Sequence, residues 1–305
     1  MKLRNLIVAS TLTLTTTTSL YLINRYKTWK QHELARIRSE SHIIETSLGW
    51  VEYSMTGKGP AVLMAHGSPG GYDQGMAFSR LLDSPALTFI AVSRPGYLRT
   101  PLSIGKTPEE QADIYAALLD VLDVEQGAVI GISGGGPSAL QFALRHPDRC
   151  SGLVMICGLA QRYSEKDVGQ SLPLVMRLVR QFADRMLLFD PALFLMGLLT
   201  RWHPKTVALG DVFRTIAIHR LRKAGYDNDM EQFAAITRYP LERITVPTLV
   251  LHGTSDYTVS FAEAEFVASK VPHAKLVAVE GGDHAFYVTH KEQVVPTLRA
   301  FLEAL

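Results

Sequence analysis

The sequence predicts an α/β fold in which helices cover both faces of a mostly parallel sheet, and three observations predict it. From residue 43 onward, short apolar runs rich in β-branched residues alternate with longer segments of helical period. Most of the later runs are uniformly apolar, as strands buried on both faces must be. At 305 residues and 47% apolar content, the chain can also bury a sizeable core.

Ahead of that core, Lys2 and Arg4 precede an uncharged stretch over 6–23, after which Arg25, Lys27 and Lys30 restore positive charge. The stretch has the length of a bilayer-spanning helix, although the threonines at 15 to 18 dilute it and no small-x-small cleavage site is evident. Residues 1–42 are therefore expected to be a membrane anchor or signal segment plus linker. Membrane association through 6–23 goes with the first reading, export after cleavage with the second; a peripheral or flexible tail is a third. Basic residues are slightly more numerous after the stretch, which favours a cytoplasmic catalytic domain if it spans.

The runs at 43–46 and 50–55 alternate in polarity, as an opening antiparallel hairpin with one wetter face would. Those at 61–65, 89–92, 128–132, 153–156, 248–251 and 276–279 belong in the sheet interior. Between them, Thr107, Pro108 and Glu110 supply a hydroxyl cap, a proline for the first helical turn and a carboxylate able to reach back. Tyr115, Leu118, Leu119 and Leu122 then recur at helical spacing to face the sheet. Pro137 suits the first turn of another helix, and Val294, Val295, Leu298, Phe301 and Leu302 form the buried side of the last. From 161 to 238 strand-like runs disappear, which divides the chain into a core of 43–160 and 239–305 and a helical cap of 161–238. Apolar cap residues can pack a subdomain core; Leu187, Leu188, Phe194, Leu195 and Met196 can alternatively line a substrate pocket.

Lysine plus arginine exceed aspartate plus glutamate by only 31 to 29, which argues against a nucleic-acid partner. Cys150 and Cys157 imply no structural disulfide, and no zinc-ligand spacing is present.

The chemistry concentrates in four loops, those holding Ser133, His284, Asp256 and Ser68. Gly131-Ile132-Ser133-Gly134-Gly135 lies between an apolar run and a helix start. A serine on so tight a turn needs glycine neighbours, and its hydroxyl projects beyond the strand end. A glycine-rich strand-to-helix turn without catalysis is the alternative. Serine requires a base, and His284, after the last strand in Gly281-Gly282-Asp283-His284, is best placed to be it. His146 reads as a helix end, His252 follows its strand too closely, and His273 lies at the wrong strand end. Asp256, beyond the strand at 248–251, fits the carboxylate that orients the histidine, or else a cap for a helix beginning near Ser260. Asp283 reads as a loop former. Developing negative charge needs donors, assigned to the N–H groups of Ser68 and Gly134, since Pro69 has none. His66 is read as fixing that loop.

These segments together resemble the α/β-hydrolase superfamily over nearly all of 43–305: HGSPGG at 66–71, Ser-Arg-Pro-Gly-Tyr at 93–97, GISGGGP at 131–137, and the Asp256 and His284 loops. The resemblance implies about eight strands, a helical cap after the sixth, and hydrolysis through an acyl-enzyme. Many relatives carry aspartate where Ser93 stands and glycine where Leu98 stands, so the local turn is expected to differ. Ser133 argues against the relatives that use an aspartate nucleophile, those like haloalkane dehalogenases and epoxide hydrolases.

The expected activity is that of a serine esterase, cleaving a carboxylic ester or related small-molecule acyl substrate with an apolar portion. It requires no metal and no organic cofactor. Amidase, thioesterase, carbon–carbon hydrolase and cofactor-free haloperoxidase activities remain alternatives, as does a non-catalytic ligand-binding protein of the same fold. Gly134-x-Gly136-x-x-Ala139 also matches a dinucleotide fingerprint superficially, but the next strand ends at Cys157-Gly158 without the expected acidic residue.

Overall fold

The computed structural model describes residues 2–164, 174–200 and 204–305; of the expected cap, 165–173 and 201–203 lie outside the described residues. Eight strands form one sheet: β1 (His42–Thr46), β2 (Gly49–Gly57), β3 (Ala61–Ala65), β4 (Thr88–Val92), β5 (Gly127–Ile132), β6 (Cys150–Ile156), β7 (Thr248–Gly253) and β8 (Lys275–Val279). Their order is β1-β2-β4-β3-β5-β6-β7-β8. β1 and β2 pair antiparallel, β2 meets β4 antiparallel, and every later pairing is parallel. The polarity-alternating hairpin is thus at one edge, and the apolar runs at 61–65, 89–92, 128–132, 153–156 and 248–251 are inside. The run at 276–279, expected inside, instead forms the opposite edge: β8 pairs with β7 alone, and Lys275 and Ala278 are exposed.

Side chains alternate across the sheet with the period of two that a strand imposes. Leu63, Ile90, Val129 and Met155 point into one apolar layer. Met64, Ala91, Ile130 and Val154 point into the other. The first layer is closed by α3 (Pro108–Val121), α4 (Gly136–Arg145) and α9 (Phe261–Lys270), the second by α2 (Tyr72–Leu82) and α11 (Lys291–Leu302). α3 begins as its sequence dictates. Thr107 Oγ1 accepts from Glu110 N at 3.2 Å, and Glu110 Oε2 accepts from Thr107 N at 2.9 Å. Tyr115, Leu118 and Leu119 are fully buried beneath it, each such side chain contributing about 2 kcal/mol through its removal from water.

Between β6 and β7 the described chain is helical: α5 (Leu174–Leu187), α6 (Asp190–Thr200), α7 (Pro204–Ile216) and α8 (Lys223–Ala235). α10 (Phe286–Thr289) is a single turn after β8.

The expected membrane anchor is overturned. Among the described residues no helix is long and apolar enough to cross a membrane. Length is not the obstacle, because α1 (Lys2–Ser39) has 38 residues and rises about 57 Å. Composition is. The threonines at 15 to 18 interrupt the apolar stretch, and the same helix runs on through Arg25, Lys27 and Lys30. Its later turns dock on the protein itself. The Trp29 ring lies 5.5 Å from that of Phe194, Arg214 pairs with Glu33 at 2.9 Å, Arg36 pairs with Asp73 at 3.0 Å, and Ile37 is buried. Membrane association through 6–23, and the membrane location inferred from it, are corrected accordingly.

Candidate active site

Register brings the loops together. Ala65 is level with Val92 and Gly131, Ile132 with Ile156, and Ile156 with Leu251, so the chains leaving β3, β4, β5, β6 and β7 emerge at one sheet edge. The loop after β8 joins them, since Gly253 pairs with Val279.

Ser133 follows β5 directly and has φ +51°, a left-handed conformation that costs a non-glycine residue about 1 kcal/mol. The turn is tight enough that a Cβ on Gly135 would lie 2.2 Å from the carbonyl oxygen of Ala65. Ser133→Gly should therefore melt above Ser133→Ala by the equivalent of about 1 kcal/mol, because only the former relieves the strain. Equal melting temperatures in a thermal scan would contradict that.

His284 Nδ1 lies 2.7 Å from Asp256 Oδ2, and its Nε2 lies 3.0 Å from Ser133 Oγ. With Nδ1–H donated to the carboxylate, Nε2 is left to accept the serine proton. Asp256 is held in turn: its Oδ1 accepts from Thr258 N at 2.8 Å and Val259 N at 2.9 Å. The capping role considered for Asp256 falls to Ser260, whose hydroxyl accepts from Ala262 N at 3.3 Å at the start of α9. Burial pushes the Asp256 carboxyl up, but bonds from His252, His284 and the Val259 amide outweigh it and hold the group well below the usual carboxylate range. Burial disfavours an imidazolium at His284. The neighbouring Cys157 sulfur and the Asp256 carboxylate nevertheless lift that histidine above its ordinary range. Cys157 is itself raised by burial, so the carboxylate is the charged partner near neutrality.

The other sequence-predicted residues are at the same edge. The Gly67 amide donates to Gln74 Oε1 at 2.7 Å, which fixes the loop entering Ser68. Ser68 and Gly134 approach so closely that a Cβ on Gly134 would lie 2.3 Å from Ser68 Oγ. His66 is fully buried between Gly67 O at 2.8 Å and the Arg94 amide at 3.0 Å, a structural role. Burial and the Arg94 guanidinium hold its pKa well below the ordinary range, so it stays neutral. Asp283 closes its own loop by accepting from Ala285 N at 2.9 Å.

A cavity of about 310 Å³ opens over Ser133 and His284, with Leu159, Leu187, Leu188 and Phe233 among its walls. Among the described residues that line it, His284 apart, none is acidic or basic. Leu187 and Leu188 line it as expected. Phe194 instead packs on Tyr26 and Trp29 of α1, Leu195 is 49% exposed, and Met196 joins the small core around Ile37.

Sequence reasoning missed four neighbours. His252, rejected as a base, is fully buried 3.3 Å from Asp256 Oδ2 and bonds Val259 O at 3.0 Å. Cys157, at φ +41°, lies behind His284, and its sulfur is 3.7 Å from the His284 carbonyl oxygen. Among the described residues the one group with metal-ligand proximity is Cys157, Asp256 and His284, and there both His284 nitrogens are already engaged. Arg94 and Asp229 form a buried ion pair beneath the Ser68 loop. Arg94 stands in the Ser-Arg-Pro-Gly-Tyr segment, whereas nothing local distinguishes Asp229 from other acidic residues of a helix.

A family model described as the alpha/beta hydrolase fold matches residues 60–291. A poly(3-hydroxyalkanoate) depolymerase of Ectopseudomonas oleovorans is 30% identical over 238 residues, covering 74% of this chain and 78% of its own. A pimeloyl-[acyl-carrier protein] methyl ester esterase of Neisseria meningitidis serogroup A / serotype 4A is 26% identical over 228 residues, covering 70% of this chain and 68% of its own. Among solved structures, an alpha/beta hydrolase fold protein from Nakamurella multipartita superposes with a TM-score of 0.69 at 34% identity, covering 87% of this chain and 99% of its own. With the sheet order, the match of 232 residues and these relatives in agreement, the chain belongs to the alpha/beta hydrolase family of enzymes.

Proposed function

We propose that this hydrolase cleaves carboxylic esters with an apolar portion through an acyl-enzyme on Ser133. The observation that carries the reading is the relay from Ser133 Oγ to His284 at 3.0 Å and on to Asp256 at 2.7 Å, on the floor of a cavity whose described walls hold no acidic or basic residue other than His284. In acylation, Oγ attacks the ester carbonyl while His284 Nε2 takes its proton, and the N–H groups of Ser68 and Gly134 stabilise the resulting oxyanion. His284 returns the proton to the departing alcohol. A water deprotonated by the same nitrogen then releases the acid. Residues 161–238 act as a cap over a core of 43–160 and 239–305, and the cap adds the apolar side chains of Leu187, Leu188 and Phe233 to walls such as Leu159 of the core. The two relatives fit, one named a methyl ester esterase and the other a poly(3-hydroxyalkanoate) depolymerase.

A fluorophosphonate probe should label the protein on Ser133 with one equivalent of adduct by intact mass; an unlabelled, folded protein would defeat the proposal. Across p-nitrophenyl esters from acetyl to octanoyl, kcat/KM should rise about fourfold for each added methylene that the cavity removes from water. A flat series would show that the apolar walls take no part in recognition.

A further inference from the structure

We infer that Asp229, on helix α8 of the insertion, is a positioning residue that holds the Ser68 amide in place to receive the oxyanion. The inference rests on the acyl-enzyme reading above and assigns a role to a residue that touches no substrate.

Asp229 is almost wholly buried, yet it receives three kinds of donor. Arg94 grips it with both terminal nitrogens, Nη1 to Oδ1 at 2.8 Å and Nη2 to Oδ2 at 2.6 Å. Tyr97 donates its hydroxyl to Oδ2. Ser68 does the same, so the side chain of a proposed oxyanion donor is tied directly to a helix outside the sheet core. Arg94 tightens the same loop from the other side: its Nη2 donates to Ser68 Oγ at 3.1 Å and its Nε to His66 O at 2.9 Å.

One turn further along α8, Phe233 stands against the second proposed donor. Its ring carbons lie 3.0 and 3.2 Å from where a Cβ on Gly134 would be, and Ser68 Oγ lies 2.3 Å from that same point. The i, i+4 spacing of Asp229 and Phe233 places both on one helix face. A single face of α8 thus braces Ser68 by hydrogen bonds and Gly134 by packing, and the Ser68 hydroxyl fills the space between them.

Why the brace matters follows from how an oxyanion site works. Donors help only if they are already aimed where charge develops, and a displacement of about 1 Å can cost as much as a hundredfold in rate. Ser68 precedes a proline, which has no amide of its own to substitute if the Ser68 amide drifts. A loop held only by its backbone would have that freedom; the link to a buried, doubly paired carboxylate removes it.

Replacing Asp229 would leave the Arg94 charge buried and unpaired, which destabilises the whole fold and would mask any effect on the loop. The test therefore uses Ser68→Ala, which keeps the amide and removes the hydroxyl that Asp229 and Arg94 hold, against Ser84→Ala, which removes a hydroxyl from the Glu303 carboxylate, 2.6 Å away, ahead of β4 at the opposite end of the strands. For Ser68→Ala the expected result is a fall in kcat of about tenfold with KM within about twofold, and a parallel tenfold weakening of an alkyl trifluoromethyl ketone whose adduct mimics the oxyanion. Ser84→Ala should lower the melting temperature while keeping kcat within about twofold. Retention of kcat in Ser68→Ala, or an equal loss in Ser84→Ala, would overturn the assignment. Fluorophosphonate labelling of the unaltered protein separates the two levels: labelling with full kcat in Ser68→Ala removes the brace alone, whereas no labelling removes the acyl-enzyme first.

Discussion

Ser133→Ala is expected to lower kcat toward p-nitrophenyl esters by about a millionfold while the protein remains folded. The size of the effect comes from the relay acting as a unit: without Oγ, neither the base nor the oxyanion donors have a nucleophile to serve. Other hydroxyls line the cavity, those of Tyr163, Tyr226, Tyr287 and Thr258 among them, but the oxygen bonded to His284 Nε2 is that of Ser133. The cost to stability should be small. One hydrogen bond of 3.0 Å is lost at a half-buried position, worth about 1 kcal/mol, and alanine keeps the same strained φ. Full-length folding would be checked by circular dichroism and activity by initial rates. Activity of this variant within tenfold of the unaltered enzyme would require another nucleophile. Cys157, behind His284, would be the first to examine, by alkylation.

The strand-end loops were legible because each carries local chemistry that survives without tertiary knowledge. Glycines flank Ser133 where the chain passes the Ala65 carbonyl, and the Thr107–Glu110 box is written in four consecutive residues. Ser93 and Leu98 were recognised as departures, and the structure supplies the reasons. Ser93 donates to the buried Glu52 at 2.9 Å, where an aspartate would set two carboxylates against each other. Leu98 adopts φ +53°, the conformation a glycine would take more cheaply, held by a bond from its amide to Leu221 O at 2.7 Å. What stayed hidden depends on contacts between distant segments. Residues 6–23 looked like an anchor because a local window sees apolar side chains and not the turns beyond, where Trp29 meets Phe194 and Glu33 meets Arg214. His252 looked misplaced for catalysis because its support of Asp256 runs through the fold and not along the chain. Asp229 is legible only once α8 is known to cross the Ser68 loop.

Asp256→Asn should reduce kcat by about ten-thousandfold and shift the acidic limb of the pH–rate profile downward. The carboxylate has two jobs. As an acceptor from Nδ1–H it keeps Nε2 unprotonated and aimed at Ser133; as a negative charge it stabilises the imidazolium formed when Oγ gives up its proton. An amide at the same position can present its NH₂ to Nδ1, which leaves the wrong nitrogen free, and it carries no charge. The pH dependence separates these effects. The base must be neutral to work, so kcat/KM rises with pH through the His284 ionisation, and Cys157 and Asp256 together hold that ionisation above the ordinary 6.5. Removing the negative charge destabilises the protonated form, which lowers the pKa; the residual activity of the variant should therefore persist to lower pH than that of the unaltered enzyme. Initial rates across about pH 5 to 9 would measure both quantities. A loss of activity with no movement of the limb would mean that the histidine being titrated is not the one paired with Asp256. An upward movement would mean that the carboxylate had been disfavouring the charged imidazole, the reverse of what a contact of 2.7 Å between opposite charges does.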